Sequence, residues 1–151
     1  MGPYENCCLG SINLREHGKK IKGDGYQIDW AKLGETVELA TRFLDNVVDV
    51  NKYVSAVPEL EEAAHQVRRI GLSVMGMADL MYLVGVAYGS ALGQELASQV
   101  MEFIRYHSML SSIELANLRG AFSGIQGSNP FQTEFERIKR RNRYRLLVPA
   151  A

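Results

Sequence analysis

The chain carries near its start the stretch Tyr4-Glu-Asn-Cys-Cys-Leu-Gly-Ser-Ile-Asn-Leu14. Both cysteines of the protein lie here, side by side at Cys7 and Cys8, in front of the short apolar run from Leu9 to Leu14. An apolar run of this length predicts a buried strand. Few soluble chains place their only thiols together at the entrance of such a run, so the stretch predicts a strand with a redox or metal function.

The size and composition of the chain indicate one globular domain. Of its 151 residues, 46% are hydrophobic and 23% are charged, and 17 basic side chains balance 17 acidic ones. Such values are ordinary for a globular protein. Because the charge is balanced and no apolar run reaches the length of a membrane span, we expect neither nucleic acid nor a membrane as a partner. Two adjacent cysteines cannot build a disulfide framework, so we expect reduced thiols and a cytoplasmic protein.

The sequence that follows the predicted strand has mainly helical periodicity. Gly18, Gly23 and Gly25 predict turns or a hairpin, and Asp29 predicts the N-cap of a long helix whose pattern fades by Asn51. The expected core face of that helix consists of apolar residues spaced by three and four positions: Trp30, Leu33, Val37, Ala40, Leu44 and Val47.

Further helices and one short extended piece are expected beyond Asn51. A linker with Pro58 precedes a short helix that has glutamates in its first turn, and residues 68–85 predict an extended piece followed by a buried helix. A long helix is predicted from Ser90 to about Arg119, and another helix starts at Pro130. The chain is therefore expected to be mainly α, with a short strand near each terminus. The expected core face of the long helix consists of Leu92, Leu96, Val100, Phe103, His107, Leu110 and Ile113.

The cysteine pair allows three interpretations. Free cysteine is commonly an inert core residue, so Cys7 and Cys8 fit two small buried side chains. A metal site needs more ligands, but His17, His65 and His107 are scattered along the chain and form no paired ligand motif with the cysteines. Thiol redox chemistry with a cysteine elsewhere needs an exposed and activated thiolate. The spacing of the residues leaves these three interpretations open.

Two other polar features have a plainer structural explanation. His107 falls on the apolar face of its helix, where we interpret it as a hydrogen-bonded core histidine rather than a ligand or a base. The basic run from Arg137 to Arg145 holds six Lys or Arg residues and no acidic residue. We interpret this run as a solvated helix end, with phosphate or nucleotide binding as the alternative.

Several segments, in the same order, resemble one known family. Residues 4–14 are similar to the Tyr-Glu-x-Cys-Asn-Leu-Gly-Ser-Ile-Asn-Leu stretch of ribonucleotide reductase catalytic subunits, the adenosylcobalamin-dependent class in particular. The chain is identified as a member of this family, and the resemblance implies a helical segment of a ten-stranded α/β barrel, with residues 1–151 as a single partial domain. The similarity extends from about Tyr4 to Phe122 through Asp29-Trp30, Thr41–Tyr53, Arg68–Leu80, Phe103–His107 and Glu114–Phe122.

The resemblance also implies roles for the two thiols. In this family a thiyl radical on one cysteine removes the ribose 3′ hydrogen, and a pair of cysteines then supplies two electrons and becomes a disulfide as the 2′ hydroxyl leaves. Cys7 matches one cysteine of that reducing pair, whose partner lies on an earlier strand of the barrel. Cys8 stands where the family usually has Asn, and it is the alternative candidate for the active thiol.

By the same resemblance, parts of the enzyme are expected to be missing from this chain. The radical-bearing Asn-Pro-Cys-Gly-Glu loop would come just before Tyr4, and the phosphate-binding Ala-Pro-Thr-Gly-Thr loop would lie near Pro149. We therefore expect an internal segment of the catalytic subunit that is inactive alone, because radical, reductant and sugar must be held together. Its expected partners are the remainder of the subunit and, in the intact enzyme, the ribonucleotide substrate. Bare strand edges and helix faces also favour self-association into a dimer or larger species.

The resemblance implies adenosylcobalamin as the cofactor of the intact enzyme. We expect no cofactor and no metal ion on this segment alone. The alternative function, from a different class, is a non-catalytic helical interaction module that keeps the fold without the chemistry.

Overall fold

The computed structural model describes residues 2–125 of the chain. Two short 3₁₀ turns, Leu14–His17 and Ser123–Ile125, accompany the longer elements, and helix dominates this part of the chain. In chain order the strands and helices are β1 (Cys8–Asn13), β2 (Gly18–Lys20), β3 (Tyr26–Ile28), α1 (Trp30–Val50), α2 (Glu59–Val67), β4 (Ile70–Met75), α3 (Met77–Leu83) and α4 (Ala91–Arg119).

The strands form two separate pairs. β1 and β4 are parallel, in a register that runs from Cys8 opposite Ile70 to Asn13 opposite Met75. The connection between them passes through α1 and α2, as a parallel pair requires a long crossover. β2 and β3 form the antiparallel hairpin that the glycine-rich stretch predicts. The parallel pair with its helical crossover is the unit of an α/β fold.

Helix α1 begins where the sequence predicts. The Asp29 side chain accepts a hydrogen bond from the backbone N–H of Lys32 at 3.1 Å, which caps the first turn. The helix packs against β1 on one side and α4 on another. Its buried side is formed by Leu33, Gly34, Val37, Thr41, Leu44 and Val48.

The core lies between β1, α1, α3 and α4. The rings of Trp30 and Phe103 close one side of it, with their centroids 4.9 Å apart and the planes tilted by 57°. Burial of these apolar side chains is the main source of stability in such a domain. The buried cluster consists of Ile12, Leu14, Ile28, Leu33, Val37, Leu80, Val100, Phe103 and Ile104.

The four helices that the sequence predicts between Asp29 and Arg119 are confirmed as α1 to α4, but details of the buried faces differ: on α1, Thr41 and Val48 are buried in place of Ala40 and Val47. Leu92 is 64% exposed, so its place on the core face of α4 is wrong. Gly93 takes that place, because a β-carbon there would lie 2.8 Å from the Ala87 carbonyl and 3.6 Å from Met81 Sδ. The buried strand expected over residues 9–14 spans Cys8–Asn13 and is buried on one side only.

Several expectations concern residues outside the described range. These are the helix that starts at Pro130, the basic run from Arg137 to Arg145 and the strand near the C-terminus. Within residues 2–125, no helix combines the length and the apolar character needed to cross a membrane.

Candidate functional site

The two faces of the β1–β4 sheet have different surroundings. On one face, a β-carbon placed on Gly10 would lie 3.3 Å from Leu44 of α1, and Ile12 is only 4% exposed. On the other face, Leu9 is 76% exposed and Met75 is 55% exposed. We call the first the covered face and the second the open face. Because successive side chains of a strand alternate, β1 contributes its even-numbered residues to the covered face and its odd-numbered residues to the open face.

The two cysteines belong to opposite faces. A β-carbon placed on Gly71 of β4 would lie 3.3 Å from Cys7 Sγ and 2.6 Å from Leu9 Cδ2, so Cys7 and Leu9 flank Gly71 on the open face. Alternation gives Cys8 the covered face, with Gly10. Both thiols are free and half-buried. The structure therefore separates two residues that are neighbours in sequence.

The backbone around Cys7 is fastened to the segment that enters β4. The backbone N–H of Cys8 donates to the Arg69 carbonyl at 3.2 Å. Two residues before Cys7, the Glu5 carboxylate binds the Arg69 guanidinium at 2.9 Å, and the Glu5 side chain is only 18% exposed. These two links lie on either side of Cys7, so they fix the position of its backbone relative to β4.

A second set of charges holds the start of β4 against α1. Arg68 has a left-handed backbone, with φ 43° and ψ 47°, which is strained for a residue other than glycine. Its guanidinium donates to Asp45 Oδ1 at 2.8 Å and to both carboxylate oxygens of Asp49 at 2.6 and 2.9 Å. Arg119 of α4 donates to Asp45 Oδ2 at 2.7 Å. The hydrogen bond from Arg68 lowers the pKa of the Asp49 carboxyl, which favours its ionised form.

A cavity of about 130 Å³ lies beside this network, between α1, α4 and the segment that follows α4. Arg68 and Arg119 both line it, but both are paired with Asp45. The residue of β4 that lines the cavity is Ile70, which pairs with Cys8, and not Gly71. The cavity therefore lies on the covered face of the sheet. It is therefore not the place where a substrate would reach Cys7.

The histidines do not gather around the cysteines. His17 is buried; its Nδ1 lies 3.0 Å from the Asn13 carbonyl and donates to it, and its Nε2 lies 2.9 Å from Thr36 Oγ1. Burial lowers the pKa of His17 and outweighs the opposing effect of the bond to the Asn13 carbonyl. His107 is half-buried, 3.4 Å from the Glu38 carboxylate. Across residues 2–125, no three His, Cys, Asp or Glu side chains are grouped so that they could hold a metal ion.

Sequence reasoning did not find the residues that position Cys7. Gly71 and the Arg68–Asp45–Arg119 network lie in segments that the family resemblance includes, but nothing in their local pattern indicates a link to the cysteines. The strained backbone of Arg68 has no sequence signal, since arginine at a helix end is ordinary. The only usable signal was Gly71 inside a predicted strand, where glycine marks a close approach.

This geometry defines an α/β protein in which one thiol lies on the open face of a parallel strand pair. The family model described as the ribonucleotide reductase barrel domain matches residues 3–145. The chain belongs to this family.

Individual relatives agree with the family match. A vitamin B12-dependent ribonucleoside-diphosphate reductase of Thermoplasma acidophilum is 44% identical over 140 residues, which is 93% of this chain and 17% of the relative. The protein of the same name from Mycobacterium tuberculosis is 44% identical over 126 residues, 83% of this chain and 17% of the relative. The ribonucleoside-diphosphate reductase subunit alpha of Chlamydia trachomatis is 43% identical over 122 residues, 81% of this chain and 11% of the relative. The chain thus spans less than a fifth of the length of these relatives.

Proposed function

We propose that this chain serves as part of a ribonucleotide reductase catalytic subunit, in which Cys7 is one of the two thiols that reduce the substrate. The observation that carries the proposal is the place of Cys7, directly before the parallel strand β1 and beside Gly71 on the open face, inside the segment that matches the barrel domain. A thiol must be reachable to exchange electrons with a substrate. Cys8 belongs to the covered face, so the geometry favours Cys7 over Cys8 as the thiol that reduces the substrate.

Two thiols supply the electrons and protons that the reduction consumes. Cys7 and a second cysteine each lose a proton and an electron and form a disulfide. The ribonucleotide gains these two electrons and two protons, loses its 2′ hydroxyl as water and becomes the 2′-deoxyribonucleotide. The names of the relatives favour a ribonucleoside diphosphate as the substrate.

We further propose that β1 and β4 are two neighbouring strands of a ten-stranded α/β barrel. Their open face would then point into the barrel, and the remainder of the subunit would supply the other strands. The parallel pairing and the helical crossover support this arrangement, since such barrels consist of parallel strands joined by helices.

Adenosylcobalamin is the proposed cofactor of the intact enzyme, on the strength of relatives that are named vitamin B12-dependent. It would supply the radical chemistry that precedes the reduction. The cavity of about 130 Å³ beside Arg68 does not fit it, because a corrin ring is far larger than that volume. We therefore assign none of the described residues to the cofactor.

A chimeric enzyme tests the proposal directly. Residues 3–145 of this chain, which match the barrel-domain model, would replace the corresponding segment of the Thermoplasma acidophilum reductase. Reduction of ribonucleoside diphosphates would be measured with adenosylcobalamin and a dithiol. We expect the chimera to turn over, because the segments are 44% identical. Cys7→Ser should lower turnover by about 10³-fold or more, since a missing member of a catalytic set removes nearly all its effect.

Cys8→Asn is the matched control, because it changes the neighbouring thiol and restores the residue usual in the family. This variant should keep most of the turnover. Turnover that survives Cys7→Ser, or that is lost only with Cys8→Asn, would contradict the assignment of the thiol. A folded chimera that binds cobalamin but has no turnover would favour the non-catalytic interaction module.

A further inference from the structure

Gly71 lies directly across from Leu9 in the register of the two parallel strands. A β-carbon on Gly71 would be 3.3 Å from Cys7 Sγ, which is tighter than almost all contacts that real β-carbons make. It would also be 2.6 Å from the end of the Leu9 side chain, but that side chain is exposed and can turn away. The contact with Cys7 is therefore the one that matters.

The backbone of Gly71 does not itself require glycine. It lies in the regular strand β4, and its φ is outside the left-handed range that excludes other residues. Glycine inside a strand weakens it, because the unfolded chain has more freedom to lose and no side chain packs. Since the backbone would accept alanine, space for a neighbouring group is the remaining reason for glycine at this position.

The conformation of the Cys7 side chain depends on the space that Gly71 leaves free. Its hydrogen-bond contact, to the Cys8 carbonyl, is 3.9 Å long and therefore weak. Packing, rather than hydrogen bonding, thus decides the rotamer of the thiol. The bare backbone of Gly71 is the surface against which the sulfur rests.

We propose that Gly71 is a positioning residue for the Cys7 thiol: by lacking a β-carbon, it lets the sulfur lie against β4 and leaves its open-face side accessible. The proposal deepens the proposed function, since it concerns the same thiol. It predicts that a single methyl group at position 71 displaces the sulfur and hinders its reaction with a disulfide.

The test measures thiol–disulfide exchange on the whole chain with 5,5′-dithiobis(2-nitrobenzoate). A Cys8→Ser, Leu9→Ala background leaves one thiol and removes the close contact with Leu9. Adding Gly71→Ala should lower the exchange rate constant of Cys7 by about threefold to tenfold, because displacements well below 1 Å already slow positioned groups. The ratio of the two rate constants should stay constant from about pH 7 to pH 9, since the change hinders access rather than thiolate formation.

Gly10→Ala in the same background is the matched control. Its β-carbon would also meet a neighbour at 3.3 Å, but that neighbour is Leu44 on the covered face. It should leave the exchange rate of Cys7 unchanged. Equal slowing by both substitutions, no slowing by Gly71→Ala, or a ratio that disappears at high pH would each overturn the proposal.

A stability cycle covers the case in which Gly71→Ala weakens the fold. The urea midpoint is measured for Gly71→Ala with Cys7 present and with Cys7→Ala added. The loss in midpoint should be smaller without the sulfur, because the methyl group and the sulfur compete for the same space. An equal loss in both backgrounds would overturn the proposal. Neither measurement needs turnover, so failure here is distinct from failure of the chimeric enzyme.

Discussion

The two faces of the β1–β4 sheet differ in what surrounds them: one packs against the core and the other is exposed. The covered face presents Ile12 to the core and brings Gly10 against Leu44 of α1. The open face carries the Cys7 thiol beside the exposed Leu9. The two strands thus anchor the fold with the side chains of one face and present polar groups on the other: Ser11 and Asn13 of β1 and Ser73 of β4 are all exposed. A strand that anchors the core on one face can therefore hold a neighbouring thiol on the other face, outside that core.

The largest expected effect compares Ile12→Ala with Leu9→Ala. Ile12 is buried in the core, so its truncation should lower the free energy of unfolding by about 2–5 kcal/mol. Leu9 is 76% exposed, and its truncation should change that free energy by no more than about 0.5 kcal/mol. Urea denaturation of both variants measures the two values. Losses of unfolding free energy of similar size in the two variants would contradict the difference between the covered and open faces.

The sequence alone predicted the helices of this fold better than its strands. The repeat of three and four residues identified α1 and α4, because helical periodicity is local and Asp29 and Ser90 provide recognisable caps. The run from Leu9 to Leu14 does not alternate regularly, so it could not reveal which side of the strand is buried. The buried side of β1 is decided by its pairing with β4 and its packing against α1, and both elements are distant in sequence from Cys7.

The candidate site was predictable only in its central residue. The resemblance indicated Cys7, and the geometry of β1 supports that choice over Cys8. The Glu5–Arg69 ion pair and the strained Arg68 were beyond prediction, because they join residues about sixty positions apart or rest on backbone angles that no residue type announces. They hold the segment that enters β4 against α1 and against the residues before β1.

A smaller effect comes from His17, which lies at the end of the 3₁₀ turn that follows β1. Burial holds its folded-state pKa below the ordinary value of 6.5. The unfolded chain therefore binds this proton at higher pH than the folded chain does, so protonation favours unfolding. The stability that neutral His17 contributes is fully present above pH 6.5 and is lost as the pH falls from there towards the folded-state pKa.

His17→Gln should remove this part of the pH dependence while other groups keep theirs. Urea denaturation of both chains between about pH 7 and pH 5 measures the difference in slope. The unmodified chain should lose stability more steeply than His17→Gln over this range. Parallel curves of unfolding free energy against pH would mean that the titration of His17 does not contribute to the stability of the fold.

Cys7 and Cys8 should differ in reactivity if they lie on opposite faces of the sheet. Chains with Cys8→Ser or Cys7→Ser each retain one thiol, and the rate of alkylation by iodoacetamide is measured for both under native conditions and in urea. In urea the two rates should be equal. In the folded chain, Cys7 should react about tenfold faster than Cys8, because Cys8 belongs to the covered face, on which α1 packs, whereas Cys7 belongs to the open face. Equal rates in the folded chain, or a faster Cys8, would contradict the assignment of Cys7 to the open face.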